Sequence, residues 1–203
     1  MSIAAPATNP ASDLELKLPN TVGTGKINHG NVLEHFLTPC DGSAITVPSG
    51  TYTVGNVTAG YSLTTSYVDV TGSSITYTPP AGTTQVVYEF DFIVSLENDS
   101  ENFSCHKLFV DGTEVTKARY VLGSVGYTET LSTFRWAINV GGSTDTTVGR
   151  LATWTSGKEI KMQAREYASA TEMQIHKTRL WDGAASSQFH IPLIGITAFG
   201  VPT

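Results

Sequence analysis

The feature that most constrains this chain is a period of two that keeps restarting. Residues 86 to 92 read V-V-Y-E-F-D-F. Val86, Tyr88, Phe90 and Phe92 fall on one set of alternate positions, and Val87, Glu89 and Asp91 on the other. Successive strand side chains point to opposite faces, so this is an aromatic face backed by an acidic one. Similar runs recur between turn signals. V-L-E-H-F-L ends at Pro39, and A-I-T-V and T-Y-T-V are split by Pro48-Ser49-Gly50. Y-S-L-T-T-S-Y-V-D-V ends at Thr71-Gly72, and S-I-T-Y-T ends at Pro79-Pro80-Ala81-Gly82. Thr84 to about Leu96 reads as one long strand. Asp111-Gly112 between His106–Val110 and Glu114–Arg119 is a strong two-residue hairpin signal. F-R-W-A-I-N-V, L-A-T-W, E-I-K-M-Q-A-R-E-Y, E-M-Q-I-H-K-T-R-L-W and I-P-L-I-G-I-T-A-F-G complete the set. The E-I-K-M-Q-A-R-E-Y run contains helix-friendly residues, but Ile160, Met162 and Ala164 alternate, so a strand is expected. Many short strands with frequent turns and no helix predict an all-β fold, a two-sheet jelly-roll sandwich over residues 32–203.

Residues 1–31 differ. Ala, Pro, Thr and Asn dominate the start; D-L-E-L-K-L-P then alternates Leu14, Leu16 and Leu18 with Glu15 and Lys17, before a Gly-rich tether. This reads as an N-terminal arm. Its short strand can add to another subunit's sheet edge, or serve as an edge strand of its own domain.

Charged residues are only 15% of the 203, with a net charge of -6, against ~25% charged residues in an average soluble domain. Thr, Ser, Gly and Asn carry the polarity, which suits an extracellular-type or virion-type protein. No Lys/Arg cluster occurs, so no nucleic-acid partner is expected. No apolar run approaches ~18 residues, so no membrane span is expected, and the start lacks a secretory leader's pattern. Cys40 and Cys105 have no zinc-like spacing; they read as ordinary small residues, with a bridge between them left open.

Glu89 and Asp91 sit about 7 Å apart along one strand face. A carboxylate pair at such spacing is compatible with glycoside hydrolysis. Lys161, Gln163 and Arg165 alternate on another strand, and Lys177 and Arg179 on a third, so cross-strand or intersubunit ion pairs with Glu89 and Asp91 explain the same pattern without catalysis. No nucleophile elbow occurs, and the scattered histidines form no ligand spacing, so neither cofactor nor metal is expected. Trp136 belongs to an apolar strand face. Trp154 and Trp181, beside polar loops and near Asp182, are the candidates for an exposed glycan-stacking surface; packing the ends of the sandwich is their alternative role.

The segments V-L-E-H-F-L-T-P-C-D-G-S, Y-T-P-P-A-G-T-T-Q-V-V-Y-E-F-D-F, L-F-V-D-G-T-E-V-T-K-A-R, A-R-E-Y, I-H-K-T-R-L-W-D-G and P-L-I-G-I-T-A-F-G occur in this order. The series resembles a widespread group of marine-virus proteins, found in cyanophages and related phages and described as structural or fibre-like. It covers roughly residues 32 to 200 and leaves the arm outside. The resemblance implies a virion component, assembled in the host cytoplasm, with a tumour-necrosis-factor-like or C1q-like jelly roll that is typically trimeric. It carries over no activity residue by residue.

Three functions are therefore expected in descending order. The first is a non-enzymatic virion structural protein, a homotrimer acting as capsid decoration (cement) or as fibre or knob, and anchored to a capsid or tail protein by its arm. The second is a module binding host-surface glycan through Trp154, Trp181 and Asp182. The third is a polysaccharide-degrading enzyme using Glu89 and Asp91.

Overall fold

The computed structural model describes residues 31–96, 101–168, 173–178 and 188–201. The strands in chain order are β1 (Asn31–Pro39), β2 (Ala44–Val47), β3 (Gly50–Thr53), β4 (Tyr61–Ser62), β5 (Val68–Asp69), β6 (Ile75–Tyr77), β7 (Thr83–Leu96) and β8 (Glu101–Val110). There follow β9 (Thr113–Glu114), β10 (Tyr120–Val125), β11 (Glu129–Asn139), β12 (Lys158–Glu166), β13 (Met173–Ile175) and β14 (Leu193–Gly200). A single 3-10 turn spans Thr116–Ala118.

The strands form two antiparallel sheets and a small β2–β3 hairpin. The first sheet is organised by β7. One edge of β7 pairs with β11 along Gln85–Ser95. Its other edge pairs with β14 over its first part and with β13 at its end. β1 lies outside β14, and β4 outside β13. The second sheet runs β10-β8-β12, with β5 and β6 on the far edge of β12 and β9 continuing the β10 side of β8. The protein is thus an all-β, jelly-roll-like sandwich.

The period-two runs explain why the sheets close face to face. Val86, Tyr88, Phe90 and Phe92 of β7 are fully buried. They share a core with Leu108 of β8, Ile160 and Met162 of β12, and Ile194 and Ile196 of β14. Burying one such side chain contributes roughly 1.5–3 kcal/mol, so β7 is among the main sources of hydrophobic stabilisation. E-I-K-M-Q-A-R-E-Y is the strand its alternation predicts, β12. Asp111 and Gly112 both take positive φ, at 52° and 74°, as a tight hairpin twisted to match its strands requires.

Five segments depart from expectation. Glu114–Arg119 is not a full strand: β9 ends at Glu114 and the 3-10 turn follows. Y-S-L-T-T-S-Y-V-D-V is not one strand: Tyr61–Ser62 pairs with β13 in the first sheet and Val68–Asp69 with β12 in the second, so the segment changes sheets. L-A-T-W forms no strand; Leu151 makes one parallel bridge to Val140. After Ile175 the strand breaks at His176, whose φ of 64° lies in the left-handed region. Tyr120–Val125 adds a strand that alternation alone does not single out, because Gly123 interrupts it.

Candidate functional site

The outer face of the first sheet carries the acidic pair. Strand register sets Leu37, Gly195, Glu89 and Arg135 in one row across β1, β14, β7 and β11, and Pro39, Leu193, Asp91 and Thr133 in the next. Gly195 is required there because a Cβ would meet Leu37 Cδ1 at 2.9 Å and the Phe36 carbonyl oxygen at 3.2 Å. Arg135 Nε donates to Glu89 Oε2 at 2.6 Å, and the guanidinium also contacts that carboxylate through a second nitrogen. Asp91 Oδ1 is buried without a hydrogen-bond partner. Neither of the two cavities described below is lined by Glu89 or Asp91.

Among the described residues, Lys161, Arg165 and Lys177 have partners other than these acids. Lys161 and Arg165 project from the outer face of the opposite sheet. Lys161 Nζ donates to Asp69 Oδ2 at 2.9 Å and lies 3.6 Å from Glu159. Arg165 and Lys107 stand over the Tyr67 ring, at 5.4 and 4.2 Å from its centroid. Lys177 Nζ reaches Ser62 Oγ at 3.4 Å. Arg179, Trp181, Asp182 and the arm leucines Leu14, Leu16 and Leu18 lie outside the described residues.

The second outer face is divided. One end is a lattice of ion pairs: Glu114 with Arg119 at 2.5 Å and Lys107 at 3.2 Å, and Lys158 with Asp111 at 2.6 Å. Asp69 is held below the usual carboxylate range; burial opposes this, but Gln163 and Lys161 outweigh it by hydrogen-bonding to its charged form. The other end is apolar. Phe103 meets Tyr167 edge-on at 6.1 Å, and Gly123 on β10 faces the Phe103 ring. Val121, Val125 and Tyr167 are all more than half exposed around them.

Trp154 is not a surface platform. It is 4% exposed, its Nε1 donates to the Tyr77 carbonyl at 3.0 Å, and its ring meets Tyr77 edge-on. It backs a cavity of about 520 Å³ edged by Pro79, Pro80, Thr83 and Val140. Its role is the end-packing alternative. Trp136 is half-buried, and its Nε1 donates to the Val148 carbonyl at 3.1 Å.

A second opening lies between the two sheets where β10 and β11 run side by side. Its volume is about 470 Å³, and its lining includes Lys117, Tyr120, Leu122, Phe134 and Trp136. Tyr120 is sandwiched between His106 at 4.6 Å and Phe134 at 5.2 Å, both nearly parallel. The Tyr120 hydroxyl is buried and has no partner, and burial pushes its ionisation far above the ordinary tyrosine range. Among the described strands, β10 pairs with β8 alone and β11 with β7 alone, apart from the hydrogen bond of Leu151 N to Asn139 O at the end of β11.

Sequence reasoning missed three buried polar groups. Glu34 is 4% exposed and accepts hydrogen bonds from Tyr77 Oη at 2.7 Å, Ser49 Oγ at 2.7 Å and the Ser49 amide at 2.8 Å. Its shared parity with Phe36 was the available signal. His106 and His176 lie in the core. Desolvation lowers them to about 3 and about 4, respectively. Cys40 and Cys105 are unbridged. Burial, reinforced by Asp41, pushes the Cys40 thiol up to about 12, so it is inert as a nucleophile. Among the described residues, no group of three or more His, Cys, Asp or Glu could hold a metal ion. No helix among them is long and apolar enough to cross a membrane.

No family model matches the chain, and no curated protein does. A solved structure of infectious bursal disease virus Gx strain is similar over 96% of this chain and 47% of its own, at 13% identity and a TM-score of 0.38. One of the Gt strain is similar over 96% and 42%, at 10% identity and a TM-score of 0.34. The chain spans less than half the length of either. At these TM-scores neither likeness carries an argument about function.

Proposed function

We propose that this protein is a non-enzymatic structural component of a virion. It is a homotrimeric jelly roll on the virion surface, held to a capsid or tail protein by its N-terminal arm, residues 1–31. The observation that carries this reading is how side chains are distributed on the outer faces. The charged groups described above are largely engaged in contacts within the chain, while Phe103, Val121, Val125, Leu37 and Leu131 are left to solvent. Such faces suit lateral packing between copies rather than turnover of a substrate. The motif resemblance to marine-phage structural proteins supplies the virion setting.

Two measurements test this. The solution mass of the purified chain is expected to equal three copies, and a stable monomer counts against the trimer. Mass spectrometry of purified particles is expected to find the chain in stoichiometric amounts; recovery only in the unassembled fraction sinks the virion reading. The glycan-binding alternative has lost Trp154 from its surface and predicts binding on a glycan array. The enzymatic alternative predicts hydrolysis of host capsular polysaccharide that Glu89→Gln abolishes.

A further inference from the structure

The gap between β10 and β11 is the one place described where two long strands of different sheets leave open edges side by side. An open edge presents unpaired backbone groups and invites another strand. Here the floor of the gap is apolar, built from Leu122, Phe134 and the Tyr120 ring, and the buried Tyr120 hydroxyl has no partner. A buried hydroxyl left unbonded is costly, and an added strand brings backbone groups that can satisfy it.

The sequence holds a segment that fits. Asp13 to Leu18 alternates three leucines with Asp13, Glu15 and Lys17. Leu14 to Leu18 spans about 14 Å as a strand, the same run as Ser132 to Trp136 along the gap. With the leucines turned onto Phe134 and Trp136, the alternate side chains fall beside Thr133 and Arg135. The acids Asp13 and Glu15 then meet a rim carrying Lys117, beside Arg119 and Arg135, which already pair with Glu114 and Glu89.

Chain geometry selects the source of the strand. Asn31 pairs with Gly200, which pairs with Thr83 of β7, while Asn139 of β11 pairs with Gln85. The described chain therefore begins about three strand spacings from the end of β11, or roughly 15 Å. That end of β11 is already occupied: Leu151 N donates to Asn139 O at 3.0 Å, and Gly141 N donates to Leu151 O at 2.8 Å. The loop carrying Leu151 thus stands between a chain's own arm and its own open edge. Residues 19 to 30 span up to about 40 Å when extended, enough to reach a neighbouring copy.

We infer that residues 13–18 of one copy add as a strand to the open β11 edge of a neighbouring copy, with Leu14, Leu16 and Leu18 filling the gap over Tyr120 and Phe134. This rests on the oligomeric reading above and assigns the arm's segment to a copy of the same chain. Residues nearer the start remain for a capsid or tail partner. In the homotrimer proposed above, each copy gives one segment and receives one, a head-to-tail contact that closes as a ring when its rotation is threefold.

The test uses the full chain with Cys105→Ser, so that no half-exposed native thiol competes. Glu15→Cys in one preparation and Thr133→Cys in another are mixed under mild oxidation. A disulfide between the two chains is expected. A chain carrying both substitutions that closes only on itself, with no cross-link on mixing, overturns the inference. In parallel, a chain lacking residues 1–18 is expected to lose its oligomeric mass and run as a monomer. An oligomer of unchanged mass overturns the arm's role while leaving the homotrimer standing. A full-length chain that is itself monomeric removes the oligomeric reading and the inference together.

Discussion

Lowering the pH from 7 to 5 should destabilise this protein through two buried histidines. His106 sits among Phe92, Tyr120 and Ser104; His176 sits among Tyr61, Phe90 and Phe92. His176 Nε2 donates to the Thr71 carbonyl at 2.9 Å, which fixes its tautomer and leaves Nδ1 as a bare acceptor. No carboxylate is among these neighbours; desolvation disfavours both imidazolium ions, and at His176 it outweighs the hydrogen bond to the Thr71 carbonyl, with nearby His190 adding to the disfavour. The unfolded chain takes up a proton on each ring near the ordinary histidine value of about 6.5, whereas the folded chain resists until about 3 for His106 and about 4 for His176. The unfolded state therefore binds more protons below neutrality, and stability falls as pH falls, by about 1.4 kcal/mol per pH unit per group. At pH 5, ~1.5 units below the unfolded value, each histidine costs about 2 kcal/mol. Together they remove about 4 kcal/mol from a total expected at ~5–15 kcal/mol. Urea titrations at pH 7 and pH 5, at fixed protein concentration, measure the difference. His106→Phe and His176→Asn should each remove about half of it; Asn is chosen because it tolerates the left-handed backbone. Equal stability at the two pH values, or an undiminished pH effect in the double variant, would refute the reasoning.

Three substitutions test the packing directly. Glu34→Ala should lower stability by about 3 kcal/mol or more in urea, because it orphans the Tyr77 hydroxyl and the Ser49 amide and leaves the Ser49 hydroxyl with Tyr52 alone, while Glu34→Gln should lose less. Gly72→Ala should cost at least ~2 kcal/mol by thermal unfolding, since Gly72 has φ +82° and a Cβ would meet Val57 Cγ2 at 2.8 Å. Trp154→Ala should cost about 3–5 kcal/mol and quench buried-indole fluorescence, with no effect on glycan binding; unchanged stability would return Trp154 to the surface.

What the sequence made legible is what period two encodes. The core face of β7 reads directly from V-V-Y-E-F-D-F because all its aromatic positions are buried, and the Asp111-Gly112 hairpin reads from chemistry only that turn tolerates. Partner identity does not read that way. Glu89 meets Arg135 because β11 lies beside β7, and sheet order is a long-range property that alternation along one strand cannot carry. Trp154 looked exposed because Thr, Ser, Gly and Lys follow it, yet the indole turns back onto Tyr77. Glu34 sits beside a register shift in β1 between Val32 and Glu34. Its shared face with Phe36 marks it as inward despite its polar type.

The slot between β1 and β7 is filled by β14, which is made more than a hundred residues after β7 begins. During synthesis, β1 and the Thr83–Asp91 edge of β7 remain without the strand that joins them until Leu193–Gly200 leaves the ribosome. Contacts of such sequence separation form slowly, and exposed apolar edges attract other nascent chains meanwhile. Translation of the last strand therefore sets when the first sheet can close, and crowded polysomes, rather than the finished fold, are where this protein is most exposed to aggregation.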